Sequence, residues 1–87
     1  MNAGEIIKQV DGLNHDKLTY FVRSGYVTPE KVKRGALYYN EFSEEDLNII
    51  KIAWRYIAAY DMKVRSAFER AKKNAQSDQP TLFEMNE

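Results

Sequence analysis

The sequence contains no cysteine, which excludes disulfides, thiolate metal sites and cysteine nucleophiles. It contains one histidine, His15, and a single imidazole cannot form a histidine-based catalytic pair or a histidine-rich metal site. No nucleophile–base set and no glycine-rich phosphate loop is recognisable in the chain. The sequence therefore predicts a protein that is not an enzyme and that needs no cofactor or metal.

Long apolar runs are also missing. No run approaches the roughly 20 residues of a membrane span, and the first residues lack the basic-then-apolar order of a signal peptide. We therefore expect a cytoplasmic protein without a membrane partner. At 87 residues the chain has room for one small domain, whose core buries only about 60% of the unfolded surface.

The formal net charge is zero, but the charges are segregated along the chain. Residues 17–39 carry five basic side chains against one acid, and residues 47–76 are again mainly basic. Four acids lie between these stretches, at residues 41–46. The distribution of charge matters more for nucleic-acid binding than its sum. Overall neutrality is therefore weak grounds for excluding DNA as a partner.

The first half of the chain predicts two short helices joined by a tight turn. Residues 4–10 show apolar residues at helical spacing, and Asp11-Gly12 breaks the pattern. A second helix is expected from His15 to Ser24, with Asn14 as its N-cap and Gly25 as its left-handed stop. Two helices joined in this way are typical of a helix-turn-helix, whose second helix reads the major groove.

The second predicted helix has an apolar and a polar face. Leu18, Phe21 and Val22 give a narrow apolar stripe that faces the core. The opposite face is polar, basic and aromatic, and it carries His15, Lys17, Thr19, Tyr20 and Arg23. The alternative for His15 is a residue that faces solvent without contacting DNA, and the alternative for Tyr20 is a ring buried in the core. An outward Tyr20 is favoured, because Leu18 and Phe21 already supply the stripe.

Residues 31–39 predict a small hairpin with its turn at Arg34-Gly35. Lys31, Lys33 and Arg34 would project from it and contact phosphates. The alternative is a solvated loop, with Tyr38 and Tyr39 used for burial. A hairpin this short must lean on the helices to be stable.

The second half predicts two further helices and a tail. Ser43 and the acids after it predict a capped helix, interrupted near Tyr60-Asp61, and a last amphipathic helix runs to about residue 74. The third helix has two apolar stripes, which favours a central core helix over a subunit interface. The predicted organisation is a domain at 1–74 and a flexible tail at 75–87.

The tail contains Gln79-Pro80-Thr81-Leu82-Phe83. This segment resembles the short Gln-x-x-Leu-Phe peptides that bind the bacterial sliding clamp. The resemblance implies Gln79, Leu82 and Phe83 as anchors of a possible clamp contact. The alternative is a tail that docks on its own domain or binds nothing.

The region from Leu18 to Leu47 resembles the DNA-binding region of MerR-type regulators. The resemblance lies in the order of Leu18, Tyr20-Phe21, Arg23, Gly25, Pro29, Tyr39 and Phe42-Ser43-Glu44-Glu45-Asp46-Leu47. It implies a mostly α fold: a winged helix-turn-helix with about four helices and a short two-stranded β-hairpin wing. It places Lys17 and Tyr20 on DNA, Arg23 near the backbone and Tyr39 in the wing. Thr19 and Asn40 replace two arginines of the family pattern, and no effector domain follows.

These observations predict a sequence-specific duplex-DNA binder that regulates transcription and is located in the nucleoid, with self-association on DNA as a further expectation. The rivals are a small protein-interaction adaptor, which would use the third helix or the tail, and an excisionase-like architectural protein. The full set of candidate DNA contacts is Asn14, His15, Lys17, Thr19, Tyr20, Arg23, Lys31, Lys33, Arg34, Tyr38, Tyr39 and Asn40.

Overall fold

The computed structural model describes residues 1–76. In this part the chain forms four helices and one antiparallel hairpin, in the order α1 (Ala3–Gln9), α2 (His15–Arg23), β1 (Glu30–Arg34), β2 (Leu37–Glu41), α3 (Glu44–Tyr60) and α4 (Val64–Gln76). The predicted mostly α, winged helix-turn-helix class is confirmed. The clamp-like residues Gln79, Leu82 and Phe83 lie outside the described residues.

Helix α1 starts one residue before its predicted start because Asn2 caps it. The Glu5 N–H donates to Asn2 Oδ1 at 2.9 Å, and the Asn2 N–H donates to Glu5 Oε1 at 2.8 Å. This reciprocal pair is a capping box, which satisfies two N–H groups at the helix start. The helix ends at Gln9, and Val10 is its buried C-cap residue rather than its last turn.

Helix α2 begins and ends by the predicted means. The Lys17 N–H donates to Asn14 Oδ1 at 2.8 Å, so Asn14 is the N-cap. At the other end Gly25 has a φ of +81°, and its N–H donates to the Val22 carbonyl. The Tyr26 N–H donates to the Phe21 carbonyl, which completes a Schellman motif. Ser24 is therefore the C-cap, and the helix is one residue shorter than predicted.

Both ends of α3 match their predicted signals, whereas the end of α4 does not. A second capping box joins Ser43 and Asp46 at the start of α3. Asp61, in the left-handed conformation with a φ of +54°, ends that helix as expected. Helix α4 extends to Gln76 rather than to residue 74. Alanine and glutamine at 75 and 76 both favour helix, so the predicted boundary at 74 was two residues early.

An aromatic cluster in the core packs the C-terminal end of α2 against α4. The ring of Phe68, on α4, is edge-on to Phe21 at 4.8 Å and is stacked on Tyr26 at 5.3 Å. Phe21 and Phe68 are each 1% exposed. Leu13 is buried at the turn between α1 and α2. The C-terminal end of α2 is therefore held by packing against α4.

The turn between α1 and α2 is held by a residue far away in sequence. The Trp54 indole Nε1 donates to the Asp11 carbonyl at 2.9 Å, which connects α3 to the turn. Gly12, the next residue, has a φ of +87°, and a Cβ on it would lie 3.3 Å from Trp54 Nε1. Glycine is therefore favoured at position 12 for two reasons: the backbone there is left-handed, and a side chain would crowd Trp54.

Alanine substitutions at Gly12 and Gly25 distinguish the cost of a left-handed backbone from the cost of the steric contact with Trp54. Gly25 is also left-handed, but a Cβ on it would meet nothing within 4 Å. We expect Gly25→Ala to lower the free energy of unfolding by about 1–2 kcal/mol, the usual penalty of a left-handed non-glycine residue. Gly12→Ala should lower it further, since the Trp54 contact adds to the same strain. Urea unfolding measures both, and equal losses would show that Trp54 gives way without penalty.

Candidate nucleic-acid interface

The predicted outer face of α2 is exposed. Leu18 and Phe21 are buried, and Val22 is half-buried. The candidates on the other face are all exposed, and they are His15, Lys17, Thr19, Tyr20 and Arg23. The outward position of Tyr20 is confirmed by an exposed fraction of 49%. A single helix thus presents imidazole, ammonium, hydroxyl, phenol and guanidinium groups on one side.

The Tyr20 ring is oriented by its neighbours. It lies edge-on to Tyr26 at 6.2 Å and tilted against Phe21 at 6.0 Å. Toward the start of the helix, Tyr20 lines a shallow depression together with Asn14, Asp16 and Lys17. The sequence analysis missed Asp16, whose exposed carboxylate lies in the first turn of α2. A carboxylate on a groove-facing helix can accept from cytosine N4 and repels phosphates.

The hairpin is longer than predicted, spanning 30–41 rather than 31–39. Its strands are joined by Gly35 and Ala36, and Gly35 has a φ of +64°. A two-residue turn with a positive φ at its first position is type II′, which matches the twist of the strands. The hairpin therefore ends in a tight tip with no large side chain in the turn.

The three cations of the hairpin do not lie on one face. Cross-strand partners share a face, and successive residues alternate between faces. The pairs Lys31–Asn40 and Lys33–Tyr38 form what we call the lysine face. The pairs Glu30–Glu41, Val32–Tyr39 and Arg34–Leu37 form the arginine face. On the lysine face, Lys33 Nζ lies 5.9 Å from the centroid of the Tyr38 ring, a cation–π contact.

The arginine face borders the N-terminal segment. Arg34, Tyr39, Asn40 and Glu41 line a depression with Asn2 and Glu5. The Met1 ammonium donates to Glu41 Oε2 at 2.9 Å, and this hydrogen bond and its charge are the main causes of the lowered pKa of Glu41. Arg34 lowers that pKa further. Arg34 is thus partly balanced by an acid, whereas the two lysines are not.

The base of the hairpin is anchored to the start of the chain. The Phe42 N–H donates to the Met1 carbonyl at 2.7 Å, and the Met1 ammonium donates to the Phe42 carbonyl at 2.9 Å. Asn40 is half-buried near this base, and its Oδ1 is shielded with no hydrogen-bond partner in the described part of the chain. Asn40 therefore offers less surface to a partner than the other hairpin candidates, which are exposed.

The cations of α2 and the hairpin form no salt bridges. Within residues 1–76, no ion pair involves Lys17, Arg23, Lys31, Lys33 or Arg34. All five side chains are exposed. Their positive charge is therefore available to an anionic partner, with the Arg34–Glu41 attraction and the Lys33–Tyr38 cation–π contact as the competing interactions.

The third helix offers little apolar surface. Leu47, Ile50 and Ala53 are buried, and Ile49, Ile52 and Tyr56 are half-buried against the core. The two apolar stripes predicted for this helix therefore face the core except at Tyr60, the last residue of α3, which is 66% exposed. The other large apolar side chains exposed in residues 1–76 are Tyr20, Leu37, Tyr38 and Tyr39. Exposed apolar surface is thus concentrated on α2 and the hairpin.

Within residues 1–76, acidic and histidine side chains form no group of three that could hold a metal ion. None of the helices in the described part of the chain is long and apolar enough to span a bilayer. The chain matches no family model, no curated protein and no solved structure. Its function is therefore inferred from its own residues and contacts.

Proposed function

We propose that this protein binds duplex DNA sequence-specifically and regulates transcription in the manner of the MerR-type winged helix-turn-helix proteins that it resembles. Helix α2 enters the major groove, and the β1–β2 hairpin is the wing that lies on the adjacent DNA. The observation that carries the proposal is that α2 and the hairpin hold five exposed cations outside any salt bridge and four of the five large apolar side chains exposed in residues 1–76. Its place of action is the bacterial-type nucleoid.

Charge supports this assignment. Five exposed cations lie on α2 and the hairpin, although the whole chain is neutral. Phosphate contacts from lysine and arginine supply most of non-specific DNA affinity and release counterions. Of the acids of residues 41–46, Glu44, Glu45 and Asp46 lie in the first turn of α3, where the helix dipole and the Ser43 cap account for them. Glu41 ends β2 and pairs with the Met1 ammonium.

Shape supports the assignment of α2 to the major groove. An α-helix with its side chains is about 10–12 Å across, and the major groove is about 12 Å wide. Residues in the first half of such a helix contact base edges. Lys17 is suited to guanine O6 and N7, and Tyr20 adds an exposed ring and hydroxyl beside it. Arg23, at the far end of α2, is suited to the backbone.

One domain of this size covers few base pairs, so useful specificity requires two copies on the DNA. Half-sites about one helical turn apart, near 34–36 Å, place both recognition helices on the same side of the duplex. We therefore propose that two copies bind each operator.

Selection of bound duplexes from a random library, at two salt concentrations, tests the proposal. We expect an enriched motif with two half-sites. Tyr20→Ala should reduce discrimination between the selected and a scrambled duplex by about 1–3 kcal/mol, with a smaller change in affinity for the scrambled duplex. Tyr60→Ala removes a tyrosine that is also exposed, but at the end of α3, and should leave both unchanged. Failure to enrich any motif would contradict sequence-specific binding.

A further inference from the structure

The tip of the hairpin exposes apolar side chains that the fold does not use. Leu37, Tyr38 and Tyr39 are consecutive, and their exposed fractions are 61%, 65% and 48%. Isolated exposed apolar residues are ordinary, but Leu37 and Tyr39 are neighbours on the arginine face, and a contiguous apolar group usually marks an interaction site. The three cations of the same hairpin make an anionic partner the best match by charge.

The register of the hairpin places one of these residues at its end. Arg34 and Leu37 are the last cross-strand pair before the turn, so both project from the arginine face at the tip. Gly35 and Ala36, which form the turn itself, add almost no bulk, and a Cβ on Gly35 would meet nothing within 4 Å. Leu37 is therefore the large apolar side chain nearest the end of the hairpin, and the guanidinium of Arg34 lies beside it.

The other two exposed residues, Tyr38 and Tyr39, are less well placed to contact a partner first. Tyr38 lies on the opposite face, where the Lys33 ammonium is positioned over its ring. Tyr39 is one pair further from the tip than Leu37 on the arginine face, and it lines the depression next to Asn2 and Glu5.

We propose that the wing tip enters the minor groove and that Leu37 inserts between base pairs and bends the duplex, which rests on the DNA-binding function proposed above. Arg34 enters the groove beside it, where the negative potential attracts a guanidinium. Lys31 and Lys33, on the lysine face, contact the phosphates along the groove edge. The hairpin is thus a bending element as well as a phosphate contact.

The dimensions of the two partners support this inference. The minor groove of B-form DNA is about 6 Å wide, whereas two paired strands are about 4.7–4.9 Å apart before their side chains are added. A two-stranded tip therefore enters only where the groove opens. Proteins open it by inserting an apolar wedge that unstacks one base step and kinks the duplex by about 20–90°. Flexible steps such as TA or CA/TG should be preferred at the wing position, without base-specific hydrogen bonds there.

Bending is tested by fluorescence energy transfer across an end-labelled duplex that carries the selected site, at saturating full-length protein. We expect the wild-type chain to bend the duplex by about 20–90° and Leu37→Ala to reduce that angle by about half or more. Leu37→Met, which keeps an apolar side chain of similar size, should preserve the bend. Tyr60→Ala, which lies outside the proposed interface, should also preserve it.

The outcomes separate this inference from the function on which it rests. A wild-type complex with a straight duplex would overturn the wedge and leave DNA binding intact. An equal bend with Leu37→Ala would overturn it as well. No saturable binding to any duplex would overturn both proposals. A reduced bend with Leu37→Ala, restored with Leu37→Met, would support the wedge.

Discussion

Phe68→Ala is expected to lower the free energy of unfolding by about 3–5 kcal/mol. The Phe68 ring is 1% exposed and contacts both Phe21 and Tyr26, so its removal leaves a cavity between α4 and the C-terminal end of α2. Domains of this size have a total stability on the order of 4–13 kcal/mol. If the stability of the wild-type chain is at the lower end of that range, the variant should be near its unfolding midpoint at 37 °C. Urea and thermal unfolding followed by circular dichroism measure the loss.

Two matched variants show whether the loss comes from the buried contact. Phe68→Leu keeps an apolar side chain in the site and should lose well under half as much stability. Tyr60→Ala removes an aromatic ring that is 66% exposed and should change the free energy of unfolding by less than about 1 kcal/mol. If Phe68→Ala were no worse than Tyr60→Ala, the packing of α4 on α2 would be wrong.

Lys31→Ala/Lys33→Ala should weaken binding to every duplex and reduce its salt dependence. Each phosphate contact contributes about 0.9 to the slope of log affinity against log salt, so the loss of two should lower its magnitude by about 1.8. Because this electrostatic term vanishes near 1 M salt, the loss of affinity should be roughly two-hundredfold at 50 mM and about twentyfold at 200 mM. Fluorescence anisotropy across a salt series gives both quantities.

A charge-matched variant distinguishes position from net charge. Lys51→Ala/Arg55→Ala also removes two exposed cations, but from α3. It should change the slope by much less than 1.8, since these residues are not part of the proposed interface. Equal slopes for the two double variants would remove the lysine face from the mechanism.

The local features of the fold could be predicted because their signals lie within a few residues. Asn14 and Ser43 cap helices through N–H groups three residues away, and Gly25 ends α2 through carbonyls just before it. The spacing of Leu18 and Phe21 also decides which face of α2 is buried. These features position the candidate recognition helix, so its outer face could be identified from the sequence.

Other features depend on long-range contacts or on register, which a single sequence does not reveal. The indole of Trp54 reaches the Asp11 carbonyl across 43 residues, and no local pattern predicts that contact. A hairpin turn at Gly35-Ala36, rather than Arg34-Gly35, shifts the pairing and puts Arg34 on the opposite face from Lys31 and Lys33. The position of Leu37 at the tip follows from the same register, so it could not be predicted from the sequence.

The most direct test of the DNA interface is an NMR titration of the full-length, isotope-labelled protein with the selected duplex. We predict that the largest amide shifts fall on Lys17, Tyr20 and Arg23 of α2 and on residues 31–38 of the hairpin. The outer residues of α3, such as Lys51 and Arg55, should move little. Saturable shifts confined to α3 or α4, with α2 and the hairpin unmoved, would contradict the account.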